Sequence, residues 1–120
     1  MQSPLKSLLF MAGLLTSLTA VAECTLPEQP TIPDGATSTM DEMVAGQKAV
    51  KAFQADAQAF RVCLDEEMDA LKSAATEGDK AAAEAYAAKT DAYNASVAAE
   101  EKIANEFNAQ IRAYKAANAS

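Results

Sequence analysis

Met43, Val50, Ala57, Leu64 and Leu71 recur every seven residues, and Phe53 and Phe60 hold the intervening core position. Gly46 and Glu67 are the exceptions at that second position. A 3.5-residue period kept up over about four heptads is the signature of a helix with one narrow apolar stripe, which must pack on another helix. It is incompatible with a strand, whose period is two. Thr39-Met-Asp-Glu42 fits a capping box with acidic residues in the first turn, so the helix is predicted over about 39–75. Gly46 is expected to allow close backbone approach, and Cys63 flanks the stripe.

A second stripe follows. Tyr86, Tyr93, Phe107 and Tyr114 fall on one heptad position, interrupted only by Glu100. Val97, Ala104 and Ile111 are the expected facing position, with Ile103 alongside. Between the stripes, Thr76-Glu-Gly78-Asp79 is the break signal, and the 15 residues from Leu71 to Tyr86 slip the register by one. The prediction is an all-α fold: an antiparallel two-helix, coiled-coil-like hairpin with a turn at about 76–79 and a second helix at about 79–117. Phe53 should then meet Ile103 and Phe107, and Phe60 should meet Tyr93 and Val97. The alternative is one continuous helix of about 80 residues that needs a partner chain.

Ahead of the helices, Cys24, Pro27, Pro30 and Pro33 recur every three residues. Polyproline II has three residues per turn, so residues 23–38 read as an extended arm with these four side chains on one ridge. Leu26 and Ile32 share a neighbouring ridge. Pro33-Asp34-Gly35 reads as a turn, because proline presets the backbone and Asp-Gly tolerates a tight bend.

Residues 1–22 read as a cleavable signal peptide. Lys6 supplies the basic region, Leu8–Leu18 the apolar run, and Ala20-Val21-Ala22 the small-x-small cleavage pattern. The apolar run is too short for a membrane span, which needs roughly 20 residues. Glu23, in front of Cys24, departs from the small residue that lipid modification uses, so cleavage after Ala22 is expected to release a periplasmic or secreted product with no membrane anchor.

In an oxidising compartment Cys63 is the one partner available to Cys24, and a Cys24–Cys63 disulfide is expected. Reach allows it. Cys63 lies 24 residues into the helix, roughly 36 Å at the helical rise. The arm from Cys24 to Thr39 covers 15 residues, roughly 46 Å in polyproline II. Closing the loop should contribute about 4 kcal/mol in the chain-entropy model. A redox pair or metal thiolates are the other uses of two cysteines, but there is no CxxC and no histidine.

The candidates for chemistry are few. Without histidine, imidazole bases and histidine metal ligands are absent. Beyond alanine and the first 22 residues, 21 larger apolar residues remain, too few for a deep ligand cavity and enough for a helix seam. Asp65, Glu66 and Asp69 stand together on a helix face and are weak candidates for a divalent cation; the EF-hand loop and the Glu-x-x-His pattern are both missing. A solvated acidic face is the plainer reading. Asn94-Ala-Ser96 matches a glycosylation sequon in mid-helix. No catalytic residue and no cofactor are assigned. Losing Lys6 leaves nine basic against 17 acidic residues, a net charge of −8, which argues against nucleic acid and anionic membranes.

The stretch from Cys24 through Pro27, Pro30, Pro33-Asp34-Gly35 and Thr39 to Met43, followed by Cys63-Leu64, resembles a family of small exported proteins of Gram-negative bacteria with a Cys-Pro-rich arm before a helical hairpin. The resemblance implies a periplasmic setting and transfers no active site. The alanine-rich helices resemble alanine-zipper envelope proteins superficially, without their lipidated cysteine. The expected function is therefore non-enzymatic: helix-mediated protein binding or envelope structure, with Tyr86, Tyr93, Phe107 and Tyr114 as an interaction face for a protein partner or self-association. An acidic metal-binding or buffering protein is the alternative.

Overall fold

A computed structural model describes residues 23–120, so the expected signal peptide and its cleavage after Ala22 lie outside the described residues. Two helices, α1 (Met40–Thr76) and α2 (Lys80–Ala117), pack against each other, and no strand occurs among the described residues. Cross-helix partners run in opposite order along the two helices: Gly46 faces Phe107, Arg61 meets Ser96, and Glu67 meets Lys89. The fold is the antiparallel hairpin, and the single long helix is excluded.

Each end of each helix has a local chemical cause. Thr39 Oγ1 accepts from the Glu42 N–H at 3.2 Å, and the Thr39 N–H donates to Glu42 Oε2 at 2.9 Å, which completes the capping box. At the other end, the Asp79 N–H donates to the Ala74 carbonyl and the Gly78 N–H to Ala75, a Schellman closure. Gly78 takes φ of +95°, a conformation that a Cβ disfavours. Asp79 then caps α2 at once, accepting from the Ala82 N–H at 3.1 Å. One residue ends the first helix and starts the second, which is why the loop is so short.

On α1 the seam is the predicted one. Met43, Gly46, Val50, Phe53, Ala57, Phe60 and Leu64 are all buried. Phe53 shares one core cluster with Ile103 and Phe107, together with Met43 and Val50. Phe60 is buried beside the disulfide, while Tyr93 and Val97 are half-buried.

On α2 the facing position is one residue earlier than expected. Ala82, Ser96 and Ile103 are buried, whereas Val97, Ala104 and Ile111 are half-buried flanks. The apolar count pointed to the wrong row because the true one also carries Lys89, Ser96 and Gln110. Each of these has a specific polar partner, so each is accommodated at little cost.

The arm forms a third layer. Cys24, Pro27, Pro30 and Pro33 are half-buried while Thr25, Leu26, Glu28, Gln29 and Thr31 between them are exposed, so the three-residue ridge lies against the helices. Pro33 contacts Gly46 and Cys24 is bonded to Cys63, so the arm runs antiparallel to α1. Nine arm residues at the polyproline rise span about 28 Å. The 17 helical residues between those anchors span about 26 Å. The two lengths agree, so the arm is extended throughout. Ile32 packs on the core cluster, but Leu26, placed on the same ridge by the sequence, is 71% exposed.

Both arm-contacting glycines serve contact rather than flexibility. Asp34 makes the bend: its carbonyl accepts from Thr37 and Ser38, and its Oδ1 accepts from the Ala36 N–H. A Cβ on Gly35 would fall on the Gln110 carbonyl and within 2.9 Å of the Tyr114 nitrogen, and Gly35 does not use positive φ. At Gly46 the close approach is made by the Pro33 ring, 2.8 Å from where a Cβ would stand, and by Phe107 at 3.2 Å, rather than by backbone.

Candidate functional site

Three places concentrate chemistry outside the plain apolar seam. The first is the disulfide. Cys24 and Cys63 are joined across a sequence separation of 39, with Cα atoms 5.6 Å apart. Cys63 projects from the flank of α1, one turn before Glu67. Glu67 pairs with Lys89 of α2, both side chains being less than one-third exposed. Cavities open on both sides of the bond. One, of about 380 Å³, is lined by Thr25, Pro27, Asp56, Ala59, Phe60 and Cys63. The other, of about 360 Å³, includes Cys24, Leu26, Phe60, Glu67 and Lys89 in its wall.

The second is the polar centre of the seam. Arg61 Nη2 pairs with Glu100 Oε2 at 2.7 Å, and Arg61 Nη1 donates to Ser96 Oγ at 3.2 Å. Ser96, the serine of the sequon, is 5% exposed and spends its hydroxyl on this contact. Glu67 and Glu100 broke the two heptad stripes in the sequence. Each stands across from a basic residue of the other helix, so the breaks are ion pairs set into the seam. The signal was legible: an acidic residue at a core position asks for a basic partner at the matching height of an antiparallel neighbour.

The third is the open end of the hairpin. Met40, Met43, Val44, Phe107, Ile111 and Tyr114 line an apolar groove of about 300 Å³, closed by Gln47 and Lys115. Met40 is 59% exposed and Val44 40% exposed.

Asp65, Glu66 and Asp69 are exposed on the outer face of α1. Among the described residues, the three carboxylate or sulfur donors that lie within 4.8 Å of one another are those of Cys24, Cys63 and Glu67 instead. Of the expected interaction face, Tyr86, Tyr93 and Tyr114 are half-buried. Phe107 is 6% exposed and belongs to the hairpin's own core, its ring close to Gly46, and it also lines the open-end groove beside Tyr114. No described helix is long and apolar enough to cross a membrane. Compared with protein-family models, curated proteins and solved structures, the chain matches none.

Proposed function

We propose that this protein is a non-enzymatic component of the periplasm that acts by helix-mediated protein binding or as envelope structure. The observation that supports this reading is the open-end groove, where Met40 and Val44 stay exposed beside Ile111 and Tyr114. A trough between two antiparallel helices suits a third amphipathic helix, which would set apolar side chains at i, i+3 and i+4 into it. The disulfide and the arm stiffen α1 on its other side, so the groove is presented on a rigid frame and binding costs little ordering.

In-cell crosslinking followed by mass spectrometry, with and without reductant, tests the reading. It should recover one reproducible protein partner, or a second copy, linked near residues 40–47 and 108–115 in the wild type. Val44→Asp should abolish that crosslink while leaving the helical content intact. Equal crosslinking by the wild type and the Val44→Asp variant, or none by either, would sink the reading.

A further inference from the structure

Cys63 and Glu67 are four residues apart on α1, so their side chains lie one above the other on a single face. The arm lays Cys24 on the same face, and the donor atoms of the three residues lie within 4.8 Å of one another, all half-buried. The cavity that takes in Cys24, Glu67 and Lys89 reaches two of the three, and Cys63 lines the other cavity, beside Asp56 and Phe60. While the disulfide is intact, both sulfurs are committed to each other and neither is a thiolate. We infer that reduction of Cys24–Cys63 opens a binding site for a borderline-soft divalent cation of the zinc class, with the two thiolates and the Glu67 carboxylate as its protein ligands.

The chemistry balances with a dithiol of the thiol–disulfide exchange class as the reductant. One of its thiolates attacks a sulfur of the pair, the S–S bond breaks, and its second thiol resolves the mixed disulfide. The reductant leaves as its own disulfide, and its two electrons reside on Cys24 and Cys63. The cation then replaces the two thiol protons, which pass to water.

Two features of this chain favour the site. The first is tethering. The arm has anchors besides the sulfur bond: Pro33 on Gly46, Ile32 on the core, and the Gly35 N–H donating to Gln110 Oε1 at 2.9 Å. These anchors lie at residues 32–35, so once the bond is cut they keep Cys24 tethered within reach of Cys63, and an ion bridging the two thiolates would order residues 24–31 again. The second is charge. Two thiolates and a carboxylate around a divalent ion leave one net negative charge, and the Lys89 ammonium stands against it. Lys89 engages Oε2 of Glu67 and so holds the carboxylate in place. Three protein ligands leave a fourth, tetrahedral position open to water.

Cobalt(II) titration under a phosphine reductant tests the assignment, read by thiolate-to-cobalt charge-transfer absorption and the visible bands of a tetrahedral ion. The reduced wild type should bind one ion, and the oxidised wild type should give no band. Glu67→Gln should bind about tenfold more weakly or worse, the scale at which loss of a supporting contact already weakens a metal site. Lys89→Met removes the ion pair but no ligand, so it should weaken binding less than Glu67→Gln does and keep the band at saturating cobalt. Cys24→Ser should lose half of the charge-transfer intensity; should it fail to fold by circular dichroism, the Glu67 and Lys89 variants, which keep both cysteines, carry the test. A reduced wild type without the band overturns the proposal. Equal loss in Glu67→Gln and Lys89→Met, or none in Glu67→Gln, overturns the role of Glu67.

Discussion

Arg61 on α1 and Glu100 on α2 meet at 2.7 Å in the middle of the seam, where the repeat would otherwise place an apolar side chain. Their side chains are only 15% and 26% exposed, so the pair is largely withdrawn from water. A pair so placed contributes little net stability compared with a well-packed apolar one, but leaving either partner alone is costly. Glu100→Ala should therefore destabilise the fold by about 1–3 kcal/mol. The double change Arg61→Met with Glu100→Leu should cost less than Glu100→Ala. Urea unfolding of the three proteins checks this, and a double variant less stable than the single one contradicts it.

Gly35 and Gly78 separate two meanings of glycine. Gly35→Ala drives a methyl group into the backbone of α2 and should unseat the arm, with a loss of about 1–3 kcal/mol, the usual range for overpacking. Gly78→Ala meets open space and should cost only the left-handed conformation, about 1 kcal/mol. Limited proteolysis should cut the Gly35 variant within residues 25–34 and leave the arm of the Gly78 variant intact.

Pro33 and Gly46 should be energetically coupled. Gly46→Ala alone gains helix propensity but displaces the proline ring, so a net loss of stability is expected. In a Pro33→Ala background the ring is gone, and the same substitution should become neutral or stabilising. A double-mutant cycle by thermal unfolding gives the coupling directly, and additive effects would refute it.

Reduction of Cys24–Cys63 without metal should lower stability by about 4 kcal/mol while leaving both helices folded. Circular dichroism of the reduced protein should match that of the oxidised one at low denaturant, with an earlier urea midpoint. Hydrogen exchange should rise first at residues 24–31, the half of the arm farthest from its Gly35 and Ile32 anchors.

The fold was largely readable in the sequence because its repeat is carried by residues with one plausible destination. Val50, Phe53, Phe60 and Leu64 at 3.5-residue spacing belong in a seam, and Cys24 had Cys63 alone to bond. The capping box at Thr39 and the break at Gly78 mark the helix ends through side chains that satisfy backbone groups in only one way. What was misread was polar. Lys89, Ser96 and Gln110 look like surface residues until their partners are placed, so Val97, Ala104 and Ile111 took their row on α2. Gly35 does sit in the turn that Pro33-Asp34-Gly35 suggests, but a sequence conceals the close approach to α2 that also requires a glycine there. The grouping of Glu67 with the cysteines is tertiary: it needs the arm laid on α1, while Asp65, Glu66 and Asp69 lie within one helical turn of sequence.

The bond at Cys63 also decides how the molecule carries tension. A pull applied at Glu23 and at Ser120 enters α1 through the sulfur bridge, next to Glu23, and not through Met40. Residues 25–62, which hold most of the buried stripe of α1, then form a closed covalent side loop that the load bypasses. The strained path runs from Cys63 to the turn at Gly78 and back along α2, so α2 carries the force while the α1 wall of the open groove stays unloaded.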